Sequence, residues 1–457
     1  MPSDGPAREA AHDELWRHET FPRAATALRL GVGVAIALVL ANTFLVAGLV
    51  VPLRVSGASM AEGLLGPHYR LTCPRCSAPV RWSAESMPES VTCANCGQRH
   101  SDLQRATIHP GERMFVDRST FAWRSPRRWE KVVLRCPPDA TELCVKRVIG
   151  LPGEKIQIRD GDIYVNGKIA AKDFRTQIEM SVPVHDSRYS AGGDATQESQ
   201  KARRWRGQNA LSAWRESAAG FVYDVDVAAR QKIQSSEIDW LAYHHAQSAR
   251  GTPTAGPILD DVGYNQAESR VLSPTRDVML RCRLRAEPRG KLAWHARTAT
   301  DEFTAEIDLT SGAGKLRHNA RSAAGFRADC CARGQSVLAE LSLADERFVL
   351  LLNGLPVVEY PFSRSGSGFR RAPQPPTTPL KIGAKGTNVI IDWVEVRRDV
   401  YYISPVTGLN PTRWPTYQWL PGAYFVLGDN SAVSVDSRTW PAGAVPSELV
   451  VGKPLVW

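Results

Sequence analysis

The sequence predicts a mainly β protein behind a single N-terminal transmembrane helix, and three observations lead there. Runs such as ERMFVDR, KVVLRC and EKIQIRDGDIYVNGK alternate with period two and are separated by Pro-Gly and Asp-Gly turns. The 35 Gly and 31 Pro in 457 residues favour a turn-rich β architecture over a helical bundle. One long uncharged stretch stands apart near the N-terminus. With 43% hydrophobic and 23% charged residues, the remainder has an ordinary globular composition and the length for two or three domains.

The uncharged stretch runs from Gly31 to Leu53 (GVGVAIALVLANTFLVAGLVVPL), with Asn42 its only strongly polar residue. Its length suffices to cross a bilayer as a helix with some tilt. A core helix of that length would carry a polar face, and a cleaved signal peptide would have a shorter apolar region. Arg17, Arg23 and Arg29 precede it, which predicts a cytoplasmic N-terminus and places everything after Arg54 on the far side. The net charge of +10 suits either nucleic acid or anionic lipid. The chain has no helix-turn-helix signature, RNA-recognition motif or dense Lys/Arg block, so the lipid bilayer is the expected partner and nucleic acid is not.

Composition and motif spacing divide the chain into a polar tail (1–27), the anchor (28–53), a short segment carrying a candidate nucleophile (54–68), a cysteine-bearing stretch (69–100), a strand-rich segment (101–172), a long insertion (173–400) and a C-terminal segment (401–457). Within the insertion, residues 174–260 are polar, with VPVHDSRYS and RWRGQ read as loops. From about residue 270 to 400 regularly spaced strands return, the pattern of an antiparallel β-sandwich.

Four short segments carry the candidate chemistry: VSGASM with Ser59, PGERMFVDR at 110–118, VKRVIGLPGEKI with Lys146, and LGDNSAVSVDSR at 427–438. A serine hydroxyl needs a base, and no histidine is conspicuously placed near these motifs. A lysine can serve if burial disfavours its ammonium. Period-two alternation puts Cys144, Lys146, Val148 and Gly150 on one face of a strand. It puts Arg147 and Ile149 on the other, where Arg147 is expected to stay solvated.

In this order, behind an N-terminal anchor, the four segments resemble the boxes of the type I signal peptidases, over residues 30–168 and 401–457. The resemblance implies a coiled β-sheet or barrel catalytic core in the cytoplasmic membrane, with the catalytic domain on the exoplasmic or periplasmic side. It implies a membrane-bound serine endopeptidase that removes signal peptides from secretory preproteins after small residues at −1 and −3, with no cofactor for catalysis. Ser59 is then the nucleophile and a backbone oxyanion donor, and Lys146 the general base and acid. Ser434 orients the lysine, while Asp429, Asp436 and Arg438 brace the site. The position two before the nucleophile, which supplies a second oxyanion donor in some members, is Gly57 here. Two departures stand out: Ala61-Glu62-Gly63 replaces a usual Pro-Thr region, and Ser431 replaces an arginine. Ser59 lies six residues beyond Leu53, at most about 20 Å of extended chain, so it stays near the membrane surface where leader peptides end.

Cys73-Pro-Arg-Cys76 and Cys93-Ala-Asn-Cys96 are spaced as a zinc ribbon, with four thiolates for one structural Zn²⁺; two small CxxC disulfides or an unmetallated loop are the alternatives. Cys136 and Cys144 flank a turn and can form a hairpin disulfide; Cys282, Cys330 and Cys331 are either bridged or buried thiols. The second half of the insertion (FTAEIDL, RFVLLLNGLPVVEY, PLKIGAKG, VIIDWVEV) resembles a laminin-G or concanavalin-like jelly roll, which implies a protein or glycan ligand. Two rival functions remain. One is a catalytically weak membrane-tethered scaffold that binds through the sandwich and ribbon. The other is a self-cleaving transcription repressor, which the anchor excludes.

Overall fold

A computed structural model describes residues 22–43, 48–189, 203–217, 220–230, 237–249, 252–331, 334–364, 375–404, 416–418 and 422–455. Most of the polar tail, Arg17 included, lies outside them. The described chain is mainly β, as expected, with one long helix, Pro22–Ala41. That helix carries Leu28, Leu30, Ile36, Leu38 and Val39 on an exposed surface, each more than half exposed. Among the described residues no helix is long and apolar enough to cross a membrane. The anchor expected to reach Leu53 stops earlier. Val50–Arg54 is a strand, because β-branched Val50 and Val51 find a backbone partner in Arg113–Asp117, in register from Val50↔Asp117 to Arg54↔Arg113. Pro52 is tolerated there because this is the edge strand of its sheet.

The catalytic-type core is a seven-stranded antiparallel sheet. In spatial order its strands are Val50–Arg54, Arg113–Asp117, Val450–Leu455, Lys131–Cys136, Asp139–Gly150, Ala423–Leu427 and Val445–Pro446. Residues from both ends of the chain therefore share one sheet, with the insertion looped out between them. Cys136 and Cys144 are disulfide-bonded across the Lys131–Cys136/Asp139–Gly150 hairpin, their Cα atoms 5.8 Å apart. Around Val148 and Ile149 both faces of the sheet are covered. Val132, Leu134, Val148 and Val426 pack on one side, and Ile149, Ile156, Ile158 and Phe425 belong to a second cluster. This corrects the expectation for Arg147. Its strand is exposed from Asp139 to Leu143 but buried from Lys146 to Gly150, and Arg147 is fully buried.

The insertion is a two-sheet antiparallel sandwich with one large shared core containing Trp294, Phe303, Phe348, Leu341 and Val394. It starts earlier than the sequence suggested. Val182–Asp186 pairs with Val389–Arg398, and Trp205–Gly207 pairs with Asp239–Tyr243, so the two stretches read as loops are strands. Their polar residues alternate with buried Val182, Val184 and Trp205, which short windows of mixed composition conceal. Cys282, Cys330 and Cys331 are unbridged.

Entry to and exit from the insertion are tied together. The Lys172 ammonium lies 2.7 Å from both Asp345 and Asp399, and all three residues are buried. Arg364 bridges Asp162 of the core to Asp277 of the sandwich. The carboxylates of Asp162, Asp277 and Asp345 converge within 4.8 Å of one another, but these two cations already occupy them.

Candidate active site

Each of the four motif segments reaches the same place. The Ser59 segment leaves the edge strand at Arg54 and is anchored by PGERM. Val55 N–H donates to Glu112 O (2.9 Å), Glu112 N–H to Leu65 O (2.8 Å), and Leu65 N–H to the Glu112 carboxylate (3.0 Å). Glycine is needed twice in this clasp. A Cβ on Gly111 would sit 1.8 Å from Val55 O, and one on Gly66 would sit 2.6 Å from Gly57 O. Within the loop, Ala61 N–H donates to Ala58 O and Leu64 N–H to Met60 O. Met60 and Leu64 are buried against Met114 and Val133. Ser59, between these anchors, is half-buried.

Lys146 lies opposite Val132 in the Lys131–Cys136/Asp139–Gly150 hairpin and is 3% exposed. Its ammonium donates to Ser434 Oγ at 3.0 Å. Burial pushes its pKa down to about 8. The Asp436 carboxylate opposes that fall, the Arg438 guanidinium reinforces it, and Asp429 opposes it again. The Leu427–Arg438 segment connects lysine and serine. Asn430 N–H donates to Ser59 O (3.0 Å), and Asn430 Nδ2 donates to Ala58 O (3.0 Å). A Cβ on Gly428 would lie 2.2 Å from Ser434 Oγ and 2.4 Å from Ser59 O, so the Ser59 loop and the lysine's partner both press on this glycine.

The charged residues of this segment form a buried frame. Asp436 accepts from Gly428 N–H (3.0 Å) and from two nitrogens of Arg438 (both 2.8 Å). Asp429 receives a bidentate pair from Arg147, at 2.7 and 2.6 Å. Arg147 also donates to Trp129 O (2.6 Å) and lies 3.3 Å from Glu179. Ser431, the departure from the usual arginine, is used as an acceptor: its Oγ receives Arg438 Nη1 (2.6 Å) and Ile403 N–H (2.8 Å). In the other departure, Glu62 lines a cavity of about 230 Å³ shared with Arg81, Asn95, His185 and Gln266. Burial raises its carboxyl pKa.

The structure thus brings together Ser59, Lys146, Ser434, Asp429, Asp436 and Arg438, all named from sequence. Ser56 is exposed, and Gly57 supplies no side chain. Sequence reasoning missed Arg147, Gly428 and Asn430 as parts of this frame. The Gly-Asp-Asn triplet was visible, but the partners of its Asp and Asn, Arg147, Ala58 and Asn265, lie more than 150 residues away.

The four ribbon cysteines also converge. Cys73 and Cys96 sulfurs are 3.7 Å apart, Cys76 and Cys93 are 3.6 Å apart, and all lie within 4.8 Å of one another. Four sulfurs about 2.3 Å from a tetrahedral Zn²⁺ would be about 3.8 Å apart. The two knuckles repeat one geometry. Ser77 N–H donates to Cys73 O and Gly97 N–H to Cys93 O, both at 2.8 Å, with φ of 61° at Ser77 and 77° at Gly97.

Residues 94–225 and 405–457 match the family model described as signal peptidase, peptidase S26. Lys146 and Leu427–Arg438 fall inside the matched ranges, and Ser59 precedes them. The chain is 26% identical over 158 residues to the probable signal peptidase I-2 of Synechocystis sp., across 31% of this chain and 71% of that one. It is 35% identical over 68 residues to signal peptidase I V of Bacillus subtilis, across 15% of this chain and 39% of that one. These matches support a signal peptidase hydrolase. A carbohydrate-binding module from Bacillus subtilis aligns at 11% identity and a TM-score of 0.26, over 41% of this chain and 91% of that one, a likeness too slight to carry an argument.

Proposed function

We propose that this protein is a membrane-bound serine endopeptidase that removes signal peptides from secretory preproteins by a Ser59/Lys146 dyad. The observation that carries the reading is Lys146: buried, lowered to about 8 and hydrogen-bonded to Ser434, whose hydroxyl and the Ser59 backbone carbonyl both crowd Gly428. A lysine so placed is neutral in an appreciable fraction of molecules near pH 8 and can take a proton.

Ser59 Oγ attacks the scissile carbonyl carbon as its proton passes to Lys146 Nζ. The resulting oxyanion is received by the Ser59 N–H. Collapse breaks the C–N bond, and Lys146 returns the proton to the leaving amine. A water activated by Lys146 then hydrolyses the ester on Ser59 and releases the signal peptide. Ser434 holds the lysine, and Asp429, Asp436 and Arg438 fix the segment that carries Ser434. Small residues at −1 and −3 of the substrate complete the reading.

The Pro22–Ala41 helix supports membrane attachment, because its exposed Leu28, Leu30, Ile36, Leu38 and Val39 form an apolar surface that favours lipid over water. In this reading the N-terminus is cytoplasmic and the catalytic core faces the exoplasmic or periplasmic side. The spacing of the four sulfurs fits one Zn²⁺ held by Cys73, Cys76, Cys93 and Cys96, with a structural role because four thiolates leave no site for water. The jelly-roll-like sandwich offers a surface for a protein or glycan.

The test is cleavage of a labelled preprotein with an Ala-x-Ala site by full-length protein in detergent. Wild type is expected to cut after the −1 alanine, with Ser59→Ala and Lys146→Met folded but inactive. Folded wild type that cuts no leader would replace this reading with the tethered-scaffold one, and an active Lys146→Met would refute Lys146 as the base.

A further inference from the structure

The insertion does more than occupy the gap between two catalytic segments. Its Val262–Gln266 stretch (Val-Gly-Tyr-Asn-Gln) reaches back under the nucleophile. Val262 and Tyr264 are buried in one small cluster with Ala58, Ala61 and Leu65, which bracket Ser59. Tyr264 is 1% exposed; its hydroxyl donates to Pro67 O at 2.9 Å, and its carbonyl accepts from Ser83 N–H at 3.0 Å.

Asn265, held in a turn by its N–H on Val262 O (2.9 Å), exchanges two hydrogen bonds with Asn430. Its Nδ2 donates to Asn430 Oδ1 at 2.7 Å, and Asn430 Nδ2 donates to its Oδ1 at 2.8 Å. That reciprocal pair fixes which way the Asn430 amide faces. Its remaining N–H then points at Ala58 O, while its backbone N–H holds Ser59 O. The next residue, Gln266, makes an equally reciprocal pair with Thr92, one residue before the second CxxC knuckle, at 3.0 and 3.2 Å.

We propose that the Val262–Gln266 strap is a positioning element for the Ser59 nucleophile, and that Asn265 acts through Asn430 to set the Ala58–Ser59 backbone. The insertion is then a working part of the catalytic centre, and the ribbon supports the strap's far end. This rests on the peptidase reading for its kinetic consequence but not for its structural one. Asn265 is a positioning residue that touches no substrate.

Two variants and two readouts test it on the full-length protein in detergent. Asn265→Ala removes both bonds. Asn265→Asp keeps size and acceptor but sets a carboxylate oxygen against Asn430 Oδ1. Each is expected to lower kcat roughly 10- to 100-fold with KM little changed, since a small displacement of a nucleophile is costly. In Asn265→Ala, which adds no charge, the pH limb set by Lys146 should not move, because that lysine is held by Ser434. Hydrogen exchange in a peptide spanning residues 56–64 should quicken about tenfold or more, with no change across Lys131–Cys136.

Unchanged kcat with unchanged exchange overturns the proposal. So does a raised KM at constant kcat, which would make the strap a substrate contact. Exchange that quickens uniformly across the core overturns it too, as a purely structural role. If wild type cuts no preprotein, the peptidase reading fails by itself, and the exchange difference at 56–64 still decides the strap.

Discussion

Alanine at Gly428 tests the joint between nucleophile and base with the smallest chemical change. The added methyl would stand 2.2 Å from Ser434 Oγ and 2.4 Å from Ser59 O, both far inside ordinary contact. Each neighbour must retreat by about 1 Å, and both are pinned: Ser59 O by Asn430 N–H, Ser434 Oγ by Lys146. Overpacking of this kind costs about 1–3 kcal/mol of stability. A displacement of about 1 Å between reacting groups costs on the order of 100-fold in rate, or about 2.7 kcal/mol of barrier. The assay is a quenched time course at saturating preprotein, paired with a thermal melt. Turnover within about threefold of wild type at an unchanged melting temperature would refute the reasoning, because the loop and Ser434 could then separate without consequence.

Four further predictions rest on the same geometry. The kcat/KM of wild type should rise with pH through a limb near 8. Lys146 must be neutral to accept a proton, and its folded pKa of about 8 lies below the ordinary 10.5; a flat profile from pH 6 to 9 would contradict this. For the same reason this lysine's contribution makes the fold more stable as pH rises from about 8 to 10.5, since the unfolded chain binds the extra proton in that window. Lys172→Met leaves Asp345 and Asp399 buried without their shared cation and should cost about 3–5 kcal/mol, read by chemical denaturation; a loss under about 1 kcal/mol would mean the tie between the insertion's two ends is idle. Purified protein should carry one zinc per chain by elemental analysis, and Cys76→Ser should lose it; equal metal content in the two proteins would point away from the four-sulfur site.

Much of this site was legible because its chemistry is local in sequence. VSGASM, PGERM, VKRVIG and LGDNSAVSVDSR each carry a turn, a glycine or a strand that a short window displays. The paired CxxC motifs were equally legible, since each knuckle closes its own hydrogen bonds within five residues. Arg147 shows where that reasoning stops. Alternation correctly placed it opposite Lys146, but whether that opposite face meets water depends on Asp429, 282 residues further on. The same holds for Asn430, whose partners are Ala58 and Asn265. The early sandwich strands were missed for a different reason. Val182–Asp186 and Trp205–Gly207 are short, interrupted by charge, and become strands only through pairing with Val389–Arg398 and Asp239–Tyr243. The end of the apolar stretch misled in the opposite direction: Val50–Leu53 is as apolar as a membrane helix, yet the neighbouring strand captures it.

The most direct measurement of the central claim is the covalent intermediate. Full-length protein in detergent would be mixed with an Ala-x-Ala preprotein, quenched in acid within milliseconds, digested and weighed. The expected result is the signal peptide joined as an ester to Ser59, absent from Ser59→Ala. Cleavage that proceeds with no adduct on Ser59, and at full rate in Ser59→Ala, would contradict the account.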